Sequence, residues 1–120
     1  MSSAKGMHAE RLAAQFLVER GVQVLCSNYR CKFGEIDLVA REAEALCFVE
    51  VRFRRRSRFG YAIETVGTVK RRRLIKTAEH FLAYRWSGRP TACRFDVVTV
   101  EGTEPPIVEW WRGAFDAGQG

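Results

Sequence analysis

Apolar positions along the chain first follow a helical period. From Ala4 to Arg20, the side chains of Ala9, Leu12, Ala13, Phe16 and Leu17 fall on one face, and those of His8, Arg11, Gln15 and Glu19 on the other. That spacing predicts an amphipathic helix. Gly21 is a natural stop, because glycine accepts the left-handed backbone that ends many helices. The period then shortens to two. Val22–Tyr29, the GEIDLVA stretch at 34–40 and the ALCFVEVRF stretch at 45–53 read as strands, with Arg41–Glu44 as the short connection between the last two. The third strand is apolar on both faces through most of its length, as a central strand should be. Helical spacing returns at Thr68–Trp86, with Leu74, Ile75, Ala78, Phe81 and Leu82 as the apolar stripe. A fourth strand is expected at Cys93–Val100, a turn at Gly102–Pro106, and a short fifth strand at Ile107–Trp111. Gly113–Gly120 is small and polar and is expected to be a flexible tail.

The order αβββαββ puts the chain in the α/β or α+β class, read from pattern alone as an antiparallel meander between two helices. A length of 120 residues with 47% apolar side chains fits one domain, 1–120, able to bury a core without metal or disulfide staples. The chain shows no internal repeat and no linker. It opens on nothing resembling a secretory signal, and no apolar run approaches ~18 residues, so a cytoplasmic protein without a membrane partner is expected. Cys26, Cys31, Cys47 and Cys93 lack zinc-ligand spacing. Cys47 and Cys93, inside strand-like runs, are expected to be small buried hydrophobes.

The chemistry begins with three acids that the pattern puts where burial should forbid them. Glu10 falls between Ala13, Ala14 and Leu17 on the helical wheel, away from the polar stripe. A carboxylate there is costly unless paired, protonated or bound to a metal. In GEIDLVA, strict alternation groups Ile36, Leu38 and Ala40 on one face and Glu35, Asp37 and Val39 on the other. In the next strand Leu46, Phe48, Glu50 and Arg52 share a face, opposite Cys47, Val49, Val51 and Phe53. A tight hairpin about Ala43–Glu44 would face residues whose numbers sum to 87, setting Asp37 opposite Glu50 and Glu35 opposite Arg52. Like charges directly across a sheet destabilise it. A divalent cation between them removes the repulsion, and Mg²⁺ favours carboxylate oxygens while keeping several waters. Such an ion serves phosphodiester hydrolysis by polarising the phosphate and activating a water. Arg52, two residues beyond Glu50 on the same face, can reach the developing charge. The competing reading is a set of solvated strand acids neutralised by nearby arginines.

The charge balance agrees with a polyanionic partner. There are 20 Lys+Arg against 14 Asp+Glu, a formal net charge of +6. Arg52, Arg54, Arg55, Arg56 and Arg58 alternate with Phe53 and Phe59, in a segment, Arg54–Val66, expected to be a mobile loop. Lys70, Arg71, Arg72 and Arg73 make a second run, with Lys76 one turn on. Both runs fit salt-sensitive contacts to a phosphate backbone, and Phe59 or Tyr61 fits stacking on an unpaired base. The alternative for either run is a solvated charged face. His8 and His80 join no catalytic or metal spacing and are expected at the surface. Asp96 is expected to support the fold through Arg94, and Trp110 and Trp111 to serve as core or dimer contacts. No P-loop, G-x-G-x-x-G or nucleophile triad is present.

Several stretches together carry a family resemblance: G-x-x-A-E-x-x-A from Gly6 to Ala13, N-Y-R at 28–30, GEIDLVA at 34–40, FVEVRFR at 48–54, Lys70 with Arg73-Leu74, and RFDVV at 94–98. The acid–strand–acid–x–cation pattern resembles the PD-(D/E)xK nuclease superfamily, and the chain as a whole resembles the YraN family of predicted endonucleases, similar to archaeal Holliday-junction resolvases. The resemblance implies a restriction-endonuclease-like core: a central mixed sheet flanked by helices, with the site at one edge. It implies Asp37 and Glu50 as ligands of Mg²⁺ (with Mn²⁺ as a substitute), the Val51 carbonyl as a further ligand, and Glu10 completing the cluster directly or through water. Glu10, Asp37, Glu50 and Arg52 would be the catalytic set, and a homodimer acting on DNA, branched DNA included, the assembly. Arg52 stands where the superfamily has lysine. A guanidinium holds phosphate but stays protonated, so it cannot be a general base. Lys70 is a substitute cation in one reading and a solvated helix-terminal charge or phosphate contact in the other. Beside the nuclease stand two alternatives: a nucleic-acid-binding protein that kept the fold without the chemistry, and a basic adaptor for an acidic protein or anionic lipid.

Overall fold

The computed structural model describes residues 4–54, 67–87 and 92–115. They form α1 (Ala4–Glu19), β1 (Gln23–Cys31), β2 (Gly34–Glu42), β3 (Ala45–Arg54), α2 (Thr68–Tyr84), β4 (Ala92–Glu101) and β5 (Ile107–Phe115). The α/β class and the order αβββαββ are those the hydrophobic pattern predicts. The five strands make one sheet in sequence order. β1, β2 and β3 pair antiparallel, as do β4 and β5, but β3 and β4 are parallel. That step corrects the all-antiparallel meander and makes the sheet mixed. Parallel neighbours need a crossover, and α2, between β3 and β4 in the chain, supplies it.

The helices cover different cores. Ala9, Ala13 and Leu17 of α1 pack with Leu38, Ala40, Cys47, Val49, Val98 and Val100. Leu74, Ala78 and Phe81 of α2 pack with Tyr29, Ile36, Val39, Leu46, Phe48, Phe95 and Val97. In β3 and β4, residues alternate between the two clusters, as side chains of a pleated strand must. α1 and α2 therefore lie against opposite faces. Among the described residues, no helix is long and apolar enough to cross a membrane.

Two expectations change at the level of the fold, and a third is extended. β5 continues to Phe115, which is buried and stacks on Phe95 with ring centroids 4.8 Å apart. The flexible tail expected from Gly113 is thus corrected for 113–115, while 116–120 lie outside the described residues. Cys47 is buried as expected, but Cys93 is exposed, at the open start of β4. Asp96, fully buried, accepts hydrogen bonds from Arg94 Nε (3.0 Å), Trp110 Nε1 (2.9 Å) and the Gly113 amide (2.9 Å). It joins β4 to β5, so the expected Arg94 link is part of a larger network.

Candidate active site

The register predicted for the hairpin holds where the ladder is regular. Glu42 pairs with Ala45, then each step inward keeps the sum at 87, as far as Leu38 with Val49. There the pairing stops, one step short of Asp37 and Glu50. Opposite Asp37 in β1, Asn28 has a positive φ of 54°. The strand changes face at this point. Ile36 packs under α2 while Leu38 and Ala40 pack under α1. The expected grouping of Ile36 with Leu38 and Ala40 is therefore corrected, because strict alternation fails where β2 leaves its partner.

The departure frees the Val51 amide from the ladder, and the Asp37 carboxylate takes it: Val51 N donates to Asp37 Oδ2 at 2.8 Å. Glu50, on the α2 face of β3, lies beside Asp37 and hydrogen-bonds to it. Glu10 approaches from α1. The first two turns of that helix bring Gly6, Ala9 and Glu10 to the same cleft, of about 230 Å³, that Asp37, Glu50 and Lys70 line. Glu10 and Glu50 are 9% and 5% exposed. The three acids that the pattern singled out thus share one site. Arg52 joins them, its Nη1 3.6 Å from Glu50 Oε2. Val51 lines the cleft as well, and the group seen engaged is its amide, on Asp37.

Burial pushes the Asp37 carboxyl up to about 8, reinforced by the negative charges of Glu50 and, more weakly, Glu10, and opposed by the Val51 amide. Two acids in contact away from water cannot both ionise cheaply, so the site asks for a positive charge, as a proton or a cation. Lys70 gives part of it. Its ammonium forms an ion pair with Glu50 from the first turn of α2. The substitute-cation reading of Lys70 gains from this contact, although the side chain is also half exposed. Sequence spacing does not reveal it, because nothing local says where the far helix lands.

A metal fits this donor set in one specific way. Among the described residues, no group of three His, Cys, Asp or Glu side chains is gathered closely enough to hold an ion as it stands. Asp37 and Glu50 are a two-carboxylate site, and Mg²⁺ commonly takes one or two carboxylates and fills the rest with water. Glu10 would then reach such an ion only through water.

The surrounding charges divide unevenly. Glu35, which sequence reasoning paired with Arg52, also lines the cleft but pairs with Arg30 across β1, at 2.8 Å. Lys70, Arg71, Arg72 and Arg73 do not form one patch, since four consecutive helical residues point around the axis. Lys70 faces the acids, Arg71 lies over the Phe115 ring at 5.5 Å, and Arg72 and Arg73 are exposed. The Arg54 side chain, and Arg55, Arg56, Arg58, Phe59 and Tyr61, lie outside the described residues. His8 is exposed, as expected. His80 is not a plain surface residue. It is half-buried, with Nδ1 hydrogen-bonded to the Tyr29 hydroxyl at 2.5 Å. Trp110 carries Arg112 on its ring face, 3.6 Å from the centroid.

Residues 9–100, from the second turn of α1 to the last residue but one of β4, match the profile described as "Uncharacterised protein family UPF0102". The chain belongs to the UPF0102 family. A UPF0102 protein of Nitrosomonas europaea is 48% identical over 118 residues, covering 97% of this chain and 98% of its own. A UPF0102 protein of Pseudomonas paraeruginosa is 46% identical, covering 97% and 95%. One from Chromohalobacter salexigens is 45% identical, covering 97% and 94%. The UPF0102 match therefore takes in the acid-bearing end of α1, both acid strands, α2 and β4.

Proposed function

We propose that this UPF0102 protein is a magnesium-dependent endonuclease with a restriction-endonuclease-like core, hydrolysing phosphodiester bonds of DNA, branched or otherwise structured DNA included. One observation carries the reading: Glu10, Asp37 and Glu50, from three different elements, converge on a single cleft with Lys70 and Arg52 beside them. Burying like charges costs several kcal/mol unless something compensates, and a protein that needed only stability would place apolar side chains there.

In this reading Asp37 and Glu50 hold the ion, with the Val51 carbonyl as a further ligand, and Glu10 reaches it through water. Bound there, Mg²⁺ (or Mn²⁺) would polarise a phosphate oxygen and lower the pKa of a water. The Val51 amide fixes the Asp37 carboxylate in orientation. Arg52 lies against Glu50 and stabilises negative charge growing on the phosphate, without acting as a base. Lys70 exchanges its contact with Glu50 for the incoming phosphate. The net charge of +6 gives the sequence-independent attraction for DNA.

The test pairs calorimetric titration of Mg²⁺ and Mn²⁺ with cleavage of plasmid and branched DNA. One site per chain, and cleavage that disappears in Asp37→Ala and Glu50→Ala, is the expected result. A second reading is favoured by the Lys70–Glu50 ion pair, which already neutralises one acid. It makes the protein a DNA-binding module without hydrolysis, and predicts DNA binding with no cleavage at any Mg²⁺ or Mn²⁺ concentration.

A further inference from the structure

A second depression adjoins the acid cleft. It has a volume of about 610 Å³ and lies between the β1–β2 turn and the start of α2, lined by Gly34, Gly67, Val69, Arg73 and Leu74. Glu35 and Lys70 line both, so the two form a continuous path. The path goes on along α2. Val69, Arg73, Lys76, His80 and Tyr84 follow each other at helical spacing, on a stripe bordering the buried face of Leu74, Thr77, Ala78 and Phe81.

The far end of this stripe is aromatic. Tyr84 is 74% exposed. One side of it faces His80, with ring centroids 4.5 Å apart. The hydrogen bond to Tyr29 and the edge of Phe33 fix His80 in turn. Cations gather alongside: Lys32 Nζ and Lys76 Nζ stand 5.2 and 5.6 Å from the Phe33 ring centre. Beyond the acid cleft, among the described residues, Glu35 is neutralised by Arg30 and Glu79 is exposed.

Apolar floor, flanking cations and an exposed ring backed by His80 are features that suit a single nucleic-acid strand: phosphates meet Lys and Arg, and bases stack on aromatic faces. We propose that this track binds an unpaired DNA segment adjoining the scissile phosphate, with a base stacked on Tyr84. From Lys70 to Tyr84 the helix rises about 21 Å. That spans about six stacked nucleotides at ~3.4 Å each, or fewer in an extended strand. The inference rests on the nuclease reading and sharpens it, from DNA in general to duplex DNA carrying a single-stranded arm.

The experiment measures binding in EDTA, where cleavage cannot interfere. Fluorescence anisotropy compares a duplex with a ten-nucleotide overhang against a blunt duplex of equal phosphate number, with 2-aminopurine in the overhang as a stacking probe. The expected result is about tenfold tighter binding of the overhang DNA. Tyr84→Ala abolishes that preference and the quenching of the probe, while Tyr84→Phe keeps both. Tyr84 is exposed, so its removal leaves the fold intact, and circular dichroism checks this. Equal binding of the two DNAs by the wild type, or a preference that survives Tyr84→Ala, overturns the proposal. Cleavage on adding Mg²⁺ is scored separately: cleavage without overhang preference removes the track alone, and preference without cleavage removes the nuclease reading alone.

Discussion

Replacing Asp37 by asparagine should stabilise the metal-free protein at alkaline pH. Asp37 sits against Glu50 with its carboxyl pushed up to about 8 from the ordinary 3.8. Between those values the folded protein holds a proton that the unfolded chain has released. Folding stability therefore falls as pH rises from about 4 to about 8, and the full penalty remains above that. At about 1.36 kcal/mol for each pH unit, the ceiling is near 6 kcal/mol. Lys70 and Arg52 alongside, and water entering an open cleft, reduce this to roughly 2–4 kcal/mol. Asparagine keeps the acceptor for the Val51 amide and offers Glu50 a donor, but carries no charge. Urea denaturation in EDTA, at pH 5 and pH 9, compares the two proteins, and other titrating groups cancel in the difference. The variant should gain roughly 2–4 kcal/mol at pH 9 and far less at pH 5. Mg²⁺ at 100 times its Kd should then raise the wild type by about 2.7 kcal/mol and leave Asp37→Asn unmoved. A variant no more stable than wild type at pH 9, or one whose gain is the same at both pH values, would refute the idea that the site is built around repelling carboxylates.

Other perturbations follow from the same geometry. Hydrogen bonds from Arg112 and Arg94 hold Glu42 down to about 2 from 4.5, so its stabilisation is complete above about pH 4.5 and is lost as pH falls through about 2. With the side chain 27% exposed, Glu42→Gln should cost about 1–2 kcal/mol at pH 7 and far less at pH 2, read by chemical denaturation. Asp96→Ala leaves the Trp110 indole and the Gly113 amide without their acceptor, while Arg94 keeps Glu42, and should cost about 2–4 kcal/mol, measured the same way. Arg52→Ala should slow single-turnover cleavage by about 10²–10³ while DNA affinity changes only a few-fold, a split that kinetics and anisotropy resolve.

The element order was legible because helix and strand write different patterns: the 3.6-residue stripe of α1 from Ala9 to Leu17, and the short run of β3 from Leu46 to Phe53, apolar on both faces as far as Glu50. The β2–β3 register was legible because a two-residue turn leaves almost no freedom, and Ala43, with φ of 54°, takes the left-handed backbone such a turn demands. The parallel pairing of β3 with β4 was not legible from alternation alone, since a strand has the same period in either direction. The end of β5 was misjudged because Gly113 and Ala114 look like tail residues, while the Gly113 amide is held by Asp96 on another strand. Lys70 was ambiguous for a similar reason. Its partner Glu50 is 20 residues away in the chain and on a different element.

The site also explains why periodicity had to fail at Asp37. An unbroken β2–β3 ladder would have used the Val51 amide for strand pairing and kept Asp37 in line with its neighbours. Ending the ladder at Leu38 and Val49 does three things together. It opens the end of the sheet, so that α1 can bring Glu10 to the cleft that Asp37 and Glu50 line. It leaves the Val51 amide to orient the Asp37 carboxylate. It turns Ile36 toward α2, where Leu74, Ala78 and Phe81 bury it and hold the break in place. A lost ladder hydrogen bond costs only about 1 kcal/mol when a side chain replaces it, whereas the buried acids cost several. The break is the inexpensive part of the design, and the core around Ile36 is what lets the expensive part persist.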